Sequence, residues 1–390
     1  MKVRVIHMIT KLELGGAQQN TMFTVANLDR ELFSPLLWAG PGGILTEEAA
    51  RLFKDDFHLV PHLFREVSPR NDWLAFWELR SMLKQEQARS NGPIIVHTHS
   101  SKAGILGRTA AWSAGIPVII HSFHGFGFND YQPWPVREAY VLAEKIAGRM
   151  THGFIFVSRA NWKKAESLGI GRPEQYHLIR SGIDLAEFKP KPFDRRAKRR
   201  ELGVAEDGKL VVMVACFKPQ KNPVDFVRAA GLVLKEVPDA WFVVAGDGEL
   251  RPEMEQAILQ NRVKDRVKLL GWRTDIPEIL WAGDLLVLTS LWEGLPRVFP
   301  QAMAAGLPIV ATSVDGAPEA VLQGENGYLV PPRDFQGIAR RVVELLKDEK
   351  KRAQMSKRAE ELVPEWDIHQ MVRDQEQLYQ RLLKEKGLWN

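Results

Sequence analysis

The chain runs a short, nearly all-aliphatic segment into a helical one again and again, and does so in two rounds. In the first half the aliphatic segments lie at 3–9, 34–39, 57–61, 94–98, 117–123 and 153–157, with helical segments such as 16–30, 70–88, 102–114 and 136–149 between them. In the second half they return at 209–216, 241–246, 266–271, 285–290, 308–312 and 327–330, alternating with helices at 222–236, 249–262, 274–282, 297–305 and 334–347. Strands without a polar face must be covered on both sides, and helices between them supply that cover. Each round therefore specifies a parallel sheet wrapped by helices. A Pro-rich, basic stretch at 189–200 breaks the rhythm. The expected fold class is α/β, with two doubly wound domains, 1–188 and 189–365, facing each other across a cleft. Residues 366–390 read as a charged helix expected to pack back on the N-terminal domain. Ligands of such sheets sit beyond the carboxyl ends of the strands.

At 390 residues the chain exceeds one ordinary core, which supports two domains. With 45% apolar and 26% charged residues it reads as a globular protein rather than a membrane or disordered one. Its longest apolar runs are strand-sized, too short to span a bilayer. The first residues alternate charge with apolar side chains, unlike a signal peptide. A single cysteine, Cys216, forms no internal disulfide, and no Cys/His cluster shows metal-ligand spacing. A cytoplasmic protein without a metal or cofactor is expected. The net charge is +5, and the densest basic run is Arg195-Arg196-Ala197-Lys198-Arg199-Arg200. That run reads as a solvated helix start, with attraction to anionic lipid as the sharper alternative. Without interleaved aromatics it does not mark a nucleic-acid site.

Chemistry gathers at the ends of the strands. Residues 292–310 carry Glu293, Gly294 and Leu295 after one strand, then a helix with Pro296 in its first turn and Gln301 about two turns from Glu293. Free N–H groups at such a helix start favour an anionic or hydroxyl-rich ligand. Gly15-Gly16-Ala17-Gln18 opens a helix after the first strand, where a backbone could approach a phosphate, but it lacks the third glycine of a dinucleotide turn. His97-Thr98-His99 and His121-Ser122-Phe123-His124-Gly125 end two successive strands. No carboxylate–histidine spacing completes a metal site there. Lys218 and Lys221 follow the strand at 209–216 and suit a diphosphate as point charges. Gly246-Asp247-Gly248 is a tight turn, and Gly271-Trp272-Arg273 ends another strand, where backbone groups could hold a nucleobase or Trp272 could simply pack.

Taken together, Gly15-Gly16-Ala17-Gln18, the run His97 to Gly104, His124-Gly125, Ser181-Gly182-Ile183-Asp184 and the block Glu293 to Gly306 resemble the family-four retaining glycosyltransferases of the GT-B fold, over essentially the whole chain. The resemblance implies two Rossmann-like domains and transfer of a sugar from a nucleotide-diphosphate sugar, with retention at the anomeric carbon and without a metal. It implies that Glu293 touches the donor sugar and that Gly294 and Leu295 hold its hydroxyls. Lys221, aided by Gly16, would neutralise the diphosphate, and His124 would stand near the sugar and leaving phosphate. Val298, Gly246 and Arg273 complete the expected donor-binding set. Three positions depart from the family, the first being Ser181, where asparagine is common. Gln301 replaces the usual second glutamate at the ribose, and Cys216 stands where an arginine is usual, with Lys218 as the stand-in charge.

His124, Glu293 and Lys221 are thus the expected catalytic residues. A uridine diphosphate sugar is the favoured donor because it is commoner in the family, with guanosine diphosphate mannose as the other choice. The acceptor, a glycan or lipid-linked saccharide, is assigned to His99 and to the aromatic segment with Phe126, Phe128 and Tyr131. The helix with Trp73, Phe76, Trp77, Leu79, Met82 and Leu83, beside Arg70, Arg80 and Lys84, is amphipathic. Core packing explains it, and a face for peripheral contact with the inner surface of the cytoplasmic membrane is the alternative. A sugar-nucleotide epimerase or phosphorylase on the same fold, and a non-catalytic nucleotide-sugar-binding protein, are the competing readings.

Overall fold

A computed structural model describes residues 2–389. The chain forms two compact units, one from residues 2–182 with 368–389 and the other from 183–367. The boundary expected at 188/189 lies six residues earlier. Ile183 donates its N–H to Trp366 O at 2.8 Å and bridges to Asp367, which ties 183–188 to the second unit. The Pro-rich stretch that suggested a linker lies inside that unit, where Asp194 caps a helix Arg195–Glu201 by accepting from Ala197 N. Arg199 of that helix is buried, donating to the carbonyls of Ala282 and Gly208 and to Asp284. The densest basic run is thus partly structural rather than wholly solvated.

The first unit holds β1 (Val3–Ile9), β2 (Phe33–Ala39), β3 (Phe57–Leu59), β4 (Ile94–His99), β5 (Val118–Phe123), β6 (Gly153–Phe156) and β7 (Tyr176–Leu178). They make one parallel sheet in the order β3-β2-β1-β4-β5-β6-β7. The order reverses between β1 and β4, the switch point at which such sheets open toward ligands. On one face the helices Pro69–Arg89 and Ser101–Ala114 bury Leu79, Leu83, Ala103 and Ala110 against Ile6, Met8 and Val96. Gly104 makes the close approach possible, because a Cβ there would lie 2.5 Å from His121 Cε1. On the other face the last helix, Ile368–Glu385, packs Met371, Leu378, Tyr379 and Leu383 against Val5, Phe33, Ile95 and Ile120.

The second unit holds β8 (Lys209–Val214), β9 (Ala240–Ala245), β10 (Val267–Gly271), β11 (Leu285–Leu288), β12 (Ile309–Thr312) and β13 (Gly327–Val330). This sheet is also parallel, in the order β10-β9-β8-β11-β12-β13, with its switch between β8 and β11. Fully buried strands such as β11 and β12 explain the unbroken aliphatic runs. No helix among the described residues is long and apolar enough to cross a membrane.

Candidate active site

In the second unit, three loops meet beyond the carboxyl ends of β8, β11 and β12. Thr289 Oγ1 donates to Lys221 O at 3.1 Å and Asn222 O at 2.9 Å, tying the β11 loop to the β8 loop. Thr312 Oγ1 donates to Ser290 O at 2.5 Å, and Glu293 N donates to Asp315 Oδ2 at 2.6 Å, tying in the β12 loop. Asn222 and Asp315 both take positive φ, 44° and 41°, as tight turns at the loop tips require.

Within this frame Glu293 is buried and both oxygens of its carboxylate have partners. Its Oε1 forms an ion pair with Lys221 Nζ and accepts from Ser290 Oγ at 2.6 Å, while Oε2 accepts from Gln220 Nε2 at 3.3 Å. A buried carboxylate is tolerated only when so paired. The arrangement holds one cation and one carboxylate at a sheet edge on loops bonded into a single block. That is the preorganisation that stabilises charge developing in a reaction.

Gly294 and Leu295 are buried beside it, with Gly294 O accepting from Gly316 N at 3.2 Å. The following helix, Val298–Ala304, starts one residue later than the 297 expected. Pro296 therefore precedes it, and Glu293 lies in the loop rather than two helical turns from Gln301. Val298 is the first residue of that helix and Gln301 the fourth. Lys218 sits in the β8 loop, its N–H donating to Cys216 O at 2.9 Å.

Two residues of the expected donor set have other work. Gly246 takes φ 143°, and a Cβ on it would fall 1.9 Å from Ala215 O, so a backbone crossing demands glycine there. Arg273 is held by Asp275 and Glu201, at 2.5 Å and 2.6 Å, and those bonds raise its pKa above its usual value. Its ion pairs fasten the β10 loop to the helix Arg195–Glu201. Sequence reading missed Ser290, Gln220 and Asp315. Nearness to Glu293, three residues on, was the available signal for Ser290; Asp315 had none, being 22 residues away and brought in by the sheet.

In the first unit the strand-end histidines cluster. Parallel register sets His7 on β1 opposite His97 on β4, and alternation puts His99 on the same face. His7 Nδ1 lies 3.0 Å from His99 Nε2, and His99 Nδ1 lies 3.0 Å from His124 Nε2. His97 bonds Tyr379 OH at 2.6 Å and Ser122 Oγ at 2.7 Å. Burial lowers the pKa of His7 to about 3, and burial with mutual repulsion holds His97 and His99 well below the usual range. The expectation that no histidine cluster has metal-ligand spacing needs correction: His7, His97 and His99 bring one nitrogen each within 4.8 Å of one another. Both nitrogens of His97 and both of His99 are already hydrogen-bonded to protein partners.

Gly16 opens the helix Gly16–Asn27 beyond β1, with Gly15 as its cap. Of the three aromatics assigned to an acceptor, Tyr131 is exposed and Phe126 is half-buried against Phe123 and Phe128. Phe128 is a core residue, 2% exposed and packed with Phe123 and Val141, so its acceptor assignment is withdrawn. Asp184 of the Ser181–Asp184 segment caps a helix, accepting from Ala186 N at 2.9 Å.

Comparison with known proteins places this architecture. Residues 15–187 match the family described as Glycosyltransferase Family 4, and residues 194–362 the family described as Glycosyl transferases group 1. The chain is 33% identical over 353 residues to the Escherichia coli UDP-Gal:alpha-D-GlcNAc-diphosphoundecaprenol alpha-1,3-galactosyltransferase, covering 89% of each. It is 27% identical over 298 residues to the Campylobacter jejuni N,N'-diacetylbacillosaminyl-diphospho-undecaprenol alpha-1,3-N-acetylgalactosaminyltransferase, covering 74% of this chain and 77% of the relative. The crystal structure of Anabaena HepE in complex with UDP shares its fold, with a TM-score of 0.79 at 23% identity over 97% of this chain and 99% of that one. Two parallel-sheet units of the GT-B type, two adjoining domain matches and a near-full-length relative agree: this chain belongs to the glycosyltransferases that join a family 4 amino-terminal domain to a group 1 carboxyl-terminal domain.

Proposed function

We propose that the protein transfers a hexosyl group from a uridine diphosphate sugar to a saccharide carried on a polyprenyl diphosphate, with retention and without a metal. The Lys221–Glu293 pair carries this reading, since a cation beside a carboxylate on the loops beyond β8 and β11 suits the charge of a leaving diphosphate and the hydroxyls of a sugar. The E. coli and C. jejuni relatives, both named for acceptors on a diphospho-undecaprenol lipid, support the acceptor class.

The bond from the anomeric carbon to the diphosphate oxygen breaks, and a bond to the acceptor hydroxyl oxygen forms on the same face. The hydroxyl proton passes to the departing diphosphate. Lys221, with Lys218, offsets charge building on that leaving group. Glu293 accepts hydrogen bonds from donor-sugar hydroxyls, and Gln301 meets the ribose hydroxyls.

A lipid-linked acceptor brings the enzyme to a membrane surface. Trp73, Trp77, Trp112 and Trp134 are exposed on successive helices of the first unit, while Leu79 and Leu83 of the same amphipathic helix are buried core. Trp side chains favour the interfacial layer of a bilayer. Arg70 and Lys84 lie exposed on the helix that carries Trp73 and Trp77, adding attraction to anionic lipid on the cytoplasmic face.

The deciding experiment incubates the protein with labelled uridine diphosphate hexoses and a synthetic polyprenyl-diphosphate N-acetylhexosamine, with chelator present, and reads the product's anomeric configuration by NMR. An axial-to-axial product supports the reading. Transfer only to a water-soluble glycan, loss of turnover in chelator, or inversion would each overturn the part of it concerned.

A further inference from the structure

The helix Trp134–Gly148 is turned the wrong way round for a solvated element. Its inner side carries an ion pair, Arg108 Nη2 to Glu144 Oε2 at 2.5 Å, with both side chains buried. Its outer side carries Pro135, Ala139, Leu142 and Ile146, whose spacing lines them up on one exposed face. Leu142 is 59% exposed and Ile146 49%, and Trp134 and Val136 in the first turn are exposed as well. Lys145 and Arg149 stand exposed at the far end. Glu138, the helix's other carboxylate, is paired with Arg137. A helix that buries its ion pair and shows aliphatic side chains beside free cations suits an apolar partner bearing negative charge.

The same helix begins beside a cation that has no counter-ion. Phe126 and Phe128 pack with ring centroids 4.8 Å apart on the loop that follows His124. The Lys164 ammonium, from the helix Arg159–Leu168, lies 5.8 Å from the Phe126 ring centre and 5.7 Å from that of Phe128, within cation–π range of both. Arg137, in the first turn of the helix Trp134–Gly148, stands 5.9 Å from the same Phe128 ring. Arg137 is already engaged, with Glu138 at 2.5 Å and Asp130 at 3.4 Å. Lys164 is half-buried and pairs with no carboxylate among the described residues. Two rings fix its ammonium in place and leave N–H groups to bond an anion, and a lysine is a compact point charge suited to phosphate. The buried Phe128 thereby serves as the floor under this cation.

We propose that Lys164 binds the diphosphate of a prenyl-linked substrate, whose apolar chain leads away along the outer face of the helix Trp134–Gly148. This rests on the reading that the acceptor saccharide is carried on a polyprenyl diphosphate. Inorganic phosphate would use the cation and not the aliphatic face, and a neutral lipid the face and not the cation. A prenyl diphosphate uses both. From Pro135 to Ile146 the face runs about 16 Å, the span of a short prenyl chain. Lys221, in the second unit, is assigned to the diphosphate of the donor, so the two diphosphates have separate cations. Lys164 acts on affinity for the acceptor and takes no part in the bond that breaks.

The test titrates full-length protein, saturated with uridine diphosphate to fill the donor site, with farnesyl diphosphate, farnesol and inorganic diphosphate in a calorimeter. Farnesyl diphosphate is expected to bind on the order of tenfold more tightly than either of the others. Lys164→Met keeps an unbranched stem over the rings and should abolish the advantage over farnesol, while Lys164→Arg should keep it. Leu142→Gln with Ile146→Gln, both exposed, should abolish the advantage over inorganic diphosphate. Farnesyl diphosphate binding no better than farnesol in the wild type overturns the proposal. So does an equal loss in Lys163→Met, an exposed neighbour, which would assign the effect to general surface charge. Turnover separates the two layers. With a polyprenyl-diphosphate N-acetylhexosamine as acceptor, Lys164→Met is expected to raise acceptor KM on the order of tenfold, with kcat and donor KM unchanged. If the wild type transfers to no such acceptor yet shows the Lys164-dependent binding, the acceptor reading fails while the site stands. If it transfers and Lys164→Met changes neither binding nor KM, the site fails while the acceptor reading stands.

Discussion

Lys221 and Glu293 leave the ends of two hydrogen-bonded neighbour strands, β8 and β11, and close an ion pair on the loops beyond them. They are separated by 72 residues of sequence, so the pair exists only because the sheet switches direction between these strands. Glu293 is the more deeply buried partner, with its side chain 5% exposed against 17% for Lys221. The two ends of the pair therefore respond differently to mutation.

Lys221→Ala is expected to lower kcat about 100-fold, the loss typical of one preorganised charge contact. It also leaves a buried carboxylate with a diminished set of donors, at a cost of about 2–3 kcal/mol, below the usual range for a broken buried pair because Lys221 keeps some solvent. Lys221→Ala with Glu293→Gln should regain most of the stability and none of the turnover. Urea unfolding and initial rates on the same samples check both statements. Normal turnover in the single variant would remove Lys221 from the site.

Gly104 separates a packing role from a catalytic one in the run His97 to Gly104. The Cβ of Gly104→Ala would meet His121 Cε1 at 2.5 Å and Nδ1 at 3.0 Å, on a ring bonded to Thr98 in a fully buried setting. Overpacking of this kind costs about 1–3 kcal/mol. The expected outcome is a lower Tm with KM for the donor unchanged. An unchanged Tm would show that the helix Ser101–Ala114 moves away freely.

Both sheets were legible in the sequence because buried parallel strands announce themselves as unbroken aliphatic runs, and β1 and β11 to β13 begin within a residue of where those runs do. β7 was not, since three residues carry no period. His97 and His99 share a face by simple alternation, but His7 joins them only through the register of β1 with β4, which no local pattern encodes. Phe128 was misjudged because a loop aromatic looks the same in sequence whether it meets a ligand or its own fold. The block at 292–310 was found by its residue types, yet its helix starts at Val298 and leaves Pro296 outside its first turn, because loop bonds to Asp315 and Gly316 hold 293–294 out of the helix.

Acid should unfold the first unit early. The folded pKa of His7 is lowered to about 3 from 6.5, and those of His97, His99 and His121 lie well below 6.5. A histidine with a depressed folded pKa binds its proton more readily when unfolded, so stability is complete above about pH 6.5 and is lost as pH falls below it. Each such group removes up to about 1.4 kcal/mol per pH unit in that window. Thermal melts from pH 7.5 to 4.5 are expected to show Tm falling from about pH 6.5 downward, and less steeply in a His7→Phe variant. A flat profile would mean that these rings reach solvent.

Gln301 puts the departure from the family to the test. It is the fourth residue of the helix Val298–Ala304, half-buried and assigned to the ribose hydroxyls. An amide accepts at one end and donates at the other, whereas a carboxylate accepts at both. A hydroxyl pair satisfies either, because each hydroxyl can turn to donate or accept. The difference left is the strength of a charged over a neutral hydrogen bond, about 1 kcal/mol, or roughly fivefold in affinity. Gln301→Glu should therefore keep kcat and lower KM for the uridine diphosphate sugar by about that factor, measured from initial rates at saturating acceptor. Complete loss of turnover would mean that the amide N–H meets an acceptor which a carboxylate repels. The ribose would then be held differently here from the way the family holds it.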